Sequence, residues 1–309
     1  MAQNIDIRGF TWEDLESVAE LFNRVGDAAG TEKELDSEVV RQNLSVPSVS
    51  PETNLRLAVN GTDLVGYHLL SPEPLIGRAV IVGGAIPEFR DSGILTRLLR
   101  DSVERAEEAG ARVVHFQTAL DAHDDRRLLE SEGFEKIKEF WQMRWEGSEL
   151  PPLRLRPGFR LKSFELDRDE AMLTELQNTA FGENWGFSPN NVDQIAARVR
   201  VKISPPDGVI FIMDGDSAAA YNWTQRIQNA HGHIGFVAMT GVHPSYRGSG
   251  LGTAIVVAGM EHLLSRGVDA VELEVDAENI PARELYLKLG YRRVHHSVWY
   301  ELKLGNSVS

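Results

Sequence analysis

The six residues from Arg247 to Gly252 combine one cation with three alternating glycines. They read R-G-S-G-L-G and stand directly before the apolar stretch TAIVVAGMEHLL, which predicts a helix. The first N–H groups of a helix lack partners within it, and the helix dipole adds partial positive charge there. Glycines also let a backbone approach its ligand closely. The stretch therefore predicts an anion site suited to a diphosphate, with a tight strand-to-helix connection as the alternative.

Two common nucleotide-binding motifs do not fit this stretch. A P-loop ends in Gly-Lys-Ser/Thr, and no lysine is present here. The dinucleotide-binding fingerprint spaces its glycines as G-x-G-x-x-G, whereas Gly248, Gly250 and Gly252 alternate. The predicted anion site therefore belongs to neither of these classes.

The skeleton of this motif occurs twice, first as PEFRDSGIL and later as PSYRGSGLG. Arg247 follows Arg90 by 157 residues, and Gly250 follows Gly93 by the same number. The spacing continues without a gap through the helix and strand that follow. An internal repeat of this length predicts two similar domains in one chain.

The chain divides into residues 1–146 and 159–309, joined by a linker at 147–158 that is rich in Pro, Gly and Ser. Each half is predicted to contain a short strand, two helices, a hairpin and a final β-α-β-α-β run. This order predicts an α+β fold, in which helices flank a mixed, mostly antiparallel sheet.

The stretch MTGVHPSYRGSGLGTAI and the later VELEVDAENIPARELYLKLGY together resemble the GCN5-related N-acetyltransferase (GNAT) superfamily. The acetyl-CoA motif of that family is Gln/Arg-x-x-Gly-x-Gly/Ala, which Arg247, Gly250 and Gly252 match. Asn279 and Tyr286 match later positions of the family pattern. Because the motif region is repeated, the chain resembles a tandem GNAT protein of the mycothiol synthase-like kind.

The resemblance implies acetyl-CoA as cosubstrate. Its pantetheine arm would follow the strand GFVAMTGV, where the N–H of Val242 would polarise the acetyl carbonyl. Tyr286 would protonate the departing thiolate, although its helical spacing also fits a core aromatic. The predicted cofactor-binding residues are Thr240, Gly241, Val242, Arg247, Gly248, Ser249, Gly250, Leu251, Gly252, Thr253, Asn279 and Tyr286.

The sequence departs from its relatives at the position of the expected general base. Mycothiol synthase-like proteins carry a glutamate directly after the glycine that is Gly235 here, and this chain has Phe236. We predict Glu274 as the base, with His233, Glu183 and a chain of waters as alternatives. Glu272 and Glu274 alternate with apolar residues, so a solvated strand face is the other interpretation of both.

The loop GENWGFSPNN, residues 182–191, is named the acceptor loop because it is expected to cover the amine substrate. Trp185 and Phe187 suggest an apolar wall there, with ordinary loop packing as the alternative. The predicted acceptor-lining residues are Glu183, Trp185, Phe187 and His233. The favoured acceptor is a small-molecule primary amine; a peptide or protein acceptor, or an acyl-CoA sensor without turnover, stays open.

The first half lacks the residues that the resemblance assigns to chemistry. The repeat-related pairs are Asp91 for Gly248, Leu95 for Gly252, Ala122 for Asn279 and Leu129 for Tyr286. The glycines that end its helices are retained. Residues 1–146 are therefore predicted to be a degenerate domain without catalysis.

The amino-acid composition limits the partners and the chemistry that the chain can have. A net charge of −14 and a pI of about 5.1 argue against nucleic acid as a partner, since phosphate binding needs a basic surface. The chain has no cysteine, so thiolate catalysis is excluded. His231 and His233 lack further ligands nearby, and no metal is expected. No signal peptide or membrane span is predicted, which favours a cytoplasmic monomer or homodimer.

Overall fold

The computed structural model describes residues 5–31, 34–147, 149–229 and 232–305. The chain forms two compact units. The first unit comprises Met1–Phe140 with His296–Ser309, and the second comprises Trp141–His295. These units differ at their ends from the halves predicted at 1–146 and 159–309, because the last strand of each half is divided between them.

The first unit has strands in the order β1-β2-β3-β4-β5-β12-β6, the last two only in part. Its strands are β1 (Ile5–Gly9), β2 (Leu55–Asn60), β3 (Asp63–Glu73), β4 (Arg78–Ala85), β5 (Val113–Ala119), most of β6 (Glu135–Trp145) and the end of β12 (Arg292–Lys303). Its helices are α1 (Leu15–Ala28), α2 (Ser37–Leu44), α3 (Pro51–Asn54), α4 (Ile94–Glu108) and α5 (His123–Ser131). The end of β12 runs antiparallel to β5, from Ser297 beside Ala119 to Lys303 beside Val113.

The second unit has strands in the order β6-β11-β10-β9-β8-β7. Besides residues 141–145 of β6, its strands are β7 (Phe159–Ser163), β8 (Val209–Asp214), β9 (Ser217–Asn229), β10 (Gly232–Val242) and β11 (Ala270–Asp276). Its helices are α6 (Glu170–Phe181), α7 (Val192–Arg198), α8 (Leu251–Ser265) and α9 (Ile280–Lys288). The predicted mixed, mostly antiparallel sheet with flanking helices is confirmed.

One parallel strand pair in the second unit separates part of the way along. β10 and β11 pair only from Ile234 beside Ala270 to Val237 beside Leu273. Beyond these pairs, residues 238–242 of β10 and 274–276 of β11 continue without pairing to each other. A bulge between Val237 and Met239 on β10 lies at this point. We call the space between the two unpaired segments the strand gap.

The equivalent parallel pair in the first unit also separates, after Ile81 beside Phe116. However, β4 pairs with β3 without any register shift from Gly66 to Glu73. The bulge that marks the strand gap therefore has no counterpart on β4.

A side-chain clamp repeats in both units and supports the internal repeat. In the first, the amide of Asn23 exchanges hydrogen bonds with the backbone of Leu35 at 3.0 and 2.9 Å. In the second, Asn178 does the same with the backbone of Asn190 at 2.8 and 3.0 Å. The same local device thus joins the end of the first long helix to the start of the next in each half.

Candidate active site

The predicted anion site adopts the backbone geometry that its glycines allow. We call residues 247–253 the cradle. Gly248 has φ +74° and Gly250 has φ +85°, a region that other residues rarely enter. Within the described residues, the N–H groups of 248–253 meet no carbonyl or side-chain acceptor, and the first bond of helix α8 runs from Ala254 to Gly250. Six consecutive N–H groups without a partner at a helix start are an arrangement that can bind an anion.

The same loop in the first unit is folded differently. There a 3-10 helix runs from Pro87 to Ser92, whereas in the second unit it spans only Pro244–Tyr246. Asp91 stands where Gly248 takes positive φ, and Asp91 itself does not adopt positive φ. Gly93, with φ 77°, keeps the helix start that Gly250 provides. The first unit therefore retains the helix cap but not the open loop.

Gly252 lies where a side chain would enter the strand gap. A Cβ atom at this position would stand 3.5 Å from Leu285 Cδ1 on α9 and 3.8 Å from Val242 Cγ2 on β10. These are ordinary contacts, so the empty fold does not require glycine here. Gly252 thus leaves space between α9 and the end of β10 that a larger side chain would fill.

The unpaired edge of β10 presents backbone groups to the strand gap. His243 donates its N–H to Ala219 on β9 at 2.9 Å. Because neighbouring residues of a strand point their N–H groups to opposite edges, Val242 and Thr240 turn theirs to the gap. Thr240 also donates its hydroxyl to Tyr221 O at 3.2 Å. The N–H that the sequence assigned to the acetyl carbonyl is thus placed at the open edge.

Gly241 leaves room for helix α6 to pack against β10. A Cβ atom there would lie 3.0 Å from both Ala180 and Phe181, at the end of helix α6. The end of α6 therefore packs directly on the open segment of β10. Sequence analysis did not identify Phe181, whose ring stacks on Phe187 at 5.7 Å and meets Tyr221 edge-on at 6.5 Å.

Tyr286 lies in a hydrophobic cluster with Val237 and Leu273, the last paired residues of β10 and β11. The same cluster contains Val256 and Met260 of α8, so Tyr286 packs in the core between α9 and α8. It is 6% exposed, and burial raises the pKa of its hydroxyl to about 12. The ring of Tyr291 packs edge-on against it at 5.7 Å. The phenol of Tyr286 stays protonated at neutral pH, as a general acid requires.

Asn279 caps helix α9, accepting a hydrogen bond from Ala282 N at 3.2 Å. Ala122, its repeat-related residue, has nearly the same backbone conformation, with φ −75° and ψ 70° against −77° and 73°. The fold therefore forms this turn without the carboxamide.

The candidate bases do not converge on one point. Glu274 is exposed and follows the last paired residue of β11. Glu272 is 4% exposed and accepts bonds from Gln142 and Arg144, each at 2.7 Å, so it is not on a solvated face. His233 lies on the α8 face of β10, because Gly235 and Val237 on that face approach Leu263. On β11, Leu273 and Val275 pack in the same cluster as α8, so Glu274 points to the opposite face of the sheet. His233 and Glu274 therefore lie on different faces.

The acceptor loop exposes part of the predicted apolar wall. Trp185 is 40% exposed, and Glu183 is exposed as well. Phe187 is half-buried through its stacking on Phe181. The loop, the end of α6 and the open edge of β10 therefore lie together in the second unit.

Within the described ranges, no group of three or more His, Cys, Asp or Glu side chains is arranged to hold a metal ion. His231 lies outside the described residues. In the same ranges, no helix has both the length and the apolar character that crossing a membrane requires.

Two solved structures share this architecture along nearly the whole chain. A GCN5-related N-acetyltransferase from Sphaerobacter thermophilus superposes with a TM-score of 0.75 at 21% identity, over 97% of this chain and 95% of that one. A tandem GNAT protein from the clavulanic acid biosynthesis pathway gives 0.75 at 17% identity, over 98% and 100%. The fold is therefore that of a tandem acetyltransferase.

Sequence comparison defines the family. The acetyltransferase (GNAT) family model matches residues 171–291. A mycothiol acetyltransferase from Thermobispora bispora is 30% identical over 305 residues, which are 97% of this chain and 99% of that relative. The chain belongs to the GNAT family and is an N-acetyltransferase; enzymes of this family use acetyl-CoA.

Proposed function

We propose that the second unit binds acetyl-CoA and transfers its acetyl group to the primary amine of a small molecule by direct attack. The observation that carries the proposal is the free backbone of the cradle beside the open edge of β10. Six unpaired N–H groups suit a diphosphate, and the strand edge suits an extended amide-bearing arm. Acetyl-CoA has these two parts in one molecule.

Each residue at the strand gap has a role in this reaction. Acetyl-CoA supplies a thioester carbon that the amine can attack. The N–H of Val242 would donate to the carbonyl oxygen as negative charge develops there. Tyr286 would give its proton to the sulfur as the carbon–sulfur bond breaks. Glu274, directly or through water, would take the proton that the amine nitrogen loses.

The acceptor side favours an amine that carries an apolar group. Phe181 and Phe187 bring aromatic surface beside the open edge of β10, Trp185 is an exposed aromatic residue of the same loop, and Phe236 stands where the resemblance implies a glutamate. The similarity to mycothiol acetyltransferases supports a small-molecule acceptor. Because Phe236 puts an apolar ring where those relatives carry a carboxylate, we propose an acceptor that differs from theirs.

A panel of primary amines with detection of the released CoA thiol tests this function. We expect thiol release with at least one small amine, and a mass increase of that amine by one acetyl group. A protein that binds acetyl-CoA but releases no thiol with any amine would instead be a sensor without turnover.

The first unit is proposed to bind no acetyl-CoA, because its own side chains occupy the equivalent space. Arg90 forms an ion pair with Asp125 on α5. The cavity between β4 and β5, lined by Gly84, Leu95 and Leu128 among others, measures about 30 Å³. One of these side chains, Leu95, replaces Gly252 of the second half at the repeat-related position and takes up the space that the glycine leaves open.

Calorimetric titration of the full chain with acetyl-CoA should therefore give a stoichiometry near one. The protein concentration is checked independently by amino-acid analysis, so that an inactive fraction does not lower the apparent value. A stoichiometry near two would show that the first unit still binds the cofactor.

A further inference from the structure

The side chain of Arg247 points away from the cradle that its backbone begins. Its Nη2 donates to the carbonyl of Ala180 at 2.9 Å, in a partly buried setting. Ala180 belongs to the last turn of α6, where carbonyl groups have no partner within the helix. A guanidinium there satisfies one carbonyl and complements the negative end of the helix dipole.

The acceptor loop begins directly after this helix end. Its far end is clamped by the pair of hydrogen bonds between Asn178 and Asn190. Inside the loop, Asn184 donates to Phe181 O at 2.8 Å and Phe187 donates to Asn184 O at 3.2 Å. The near end is therefore held by the last turn of α6, which Arg247 caps.

The last turn of α6 also touches the open edge of β10, where Ala180 and Phe181 crowd the Cα of Gly241. One arginine thus connects three parts of the site. Its backbone leads into Gly248, its side chain holds α6, and α6 carries the aromatic wall beside the strand gap.

The repeat shows that this use of the arginine is specific to the second half. In the first, Arg90 pairs with Asp125. The repeat-related residue of Asp125 is Ala282, which offers no carboxylate. The substitution leaves Arg247 available for the end of α6.

We propose that Arg247 is a positioning residue that couples the cradle to the acceptor loop, rather than chiefly a counter-charge for the diphosphate. It keeps Phe181 and the loop in place over the open edge of β10, so its loss weakens the site for the amine more than for acetyl-CoA. The part that concerns the amine rests on the proposed function.

The structural part is tested by hydrogen exchange without any substrate. In Arg247→Met, the bonded amides of Asn184, Phe187 and Asn190 should exchange at least about fivefold faster than in the parent protein. Arg247→Lys keeps a long side chain that ends in a cationic N–H donor for Ala180, and its exchange should stay nearer that of the parent. Arg90→Met, the same change at the repeat-related position, should not alter exchange in this loop. Unchanged exchange in Arg247→Met would overturn the proposal.

The functional part is tested by kinetics at saturating acetyl-CoA. Arg247→Met should raise the KM for the amine about tenfold, with the Kd of acetyl-CoA changed by less than about threefold. Arg247→Lys should restore most of the amine KM. A loss of acetyl-CoA affinity in Arg247→Met, with the amine KM unchanged, would identify a diphosphate counter-charge and contradict the proposal. If the parent protein acetylates no amine, the proposed function fails while the exchange result still decides the structural part.

Discussion

Replacing Gly252 with leucine is expected to weaken acetyl-CoA binding at least about a thousandfold while the second unit stays folded. The backbone of Gly252 lies outside the left-handed region, and its Cβ would make only ordinary contacts with Leu285 and Val242. The remaining leucine atoms would extend into the strand gap between those two residues. Leu95 is the side chain found at this position in the first half. Calorimetric titration with acetyl-CoA measures the effect.

Two controls separate blockage of the gap from unfolding. Thermal unfolding of Gly252→Leu should stay close to that of the parent, because a Cβ atom at this position makes only ordinary contacts. Leu95→Ala, at the repeat-related position, should leave acetyl-CoA affinity unchanged. Acetyl-CoA binding of parental strength in a folded Gly252→Leu protein would contradict the path assigned to the pantetheine arm.

Replacing Tyr286 with phenylalanine should lower kcat by about 10²- to 10⁴-fold, with little change in the Kd of acetyl-CoA. The ring remains to fill the cluster that contains Val237 and Leu273, and only the proton donor is lost. Because burial raises the pKa of this hydroxyl to about 12, the parent enzyme keeps the proton up to about pH 10. Its kcat should therefore not fall between pH 7 and pH 10 through ionisation of Tyr286. Steady-state kinetics over this pH range measures both effects.

Tyr291→Phe is the matched control. This neighbouring tyrosine packs edge-on against Tyr286, and burial raises its pKa as well. Its hydroxyl is buried and has no hydrogen-bond partner in the described part of the chain. Removing it should leave kcat nearly unchanged. Equal losses of activity in the two variants would indicate a packing defect rather than loss of the acid.

The features that the sequence predicted well depend on local geometry. Gly248 and Gly250 adopt positive φ because no other residue type does so at similar cost, and α8 follows from its unbroken apolar stretch. Comparison of the two repeats then distinguished two kinds of glycine. Gly93 and Gly250 occur at the same position in both halves and belong to the fold, whereas Gly252 occurs only in the second half. These constraints act within a few residues and can be recognised without tertiary contacts.

Tertiary contacts determine what the sequence did not predict. β6 and β12 have similar alternating patterns, and such patterns predict a strand without specifying its neighbours. That ambiguity is why the division at 140/141 and 295/296 was not expected. The bond from Arg247 to Ala180 and the contact of Phe181 with Gly241 join segments far apart in the chain. Likewise, the face on which His233 lies depends on how β10 packs against α8.

A crystal structure of the full chain with acetyl-CoA is the most direct test of whether the second unit alone binds the cofactor. We expect one cofactor per chain, with its diphosphate on the N–H groups of residues 248–253. Its thioester oxygen should face Val242 N, and its sulfur should lie within hydrogen-bond reach of the Tyr286 hydroxyl. Acetyl-CoA bound between β4 and β5 of the first unit, or a diphosphate held away from residues 248–253, would contradict it.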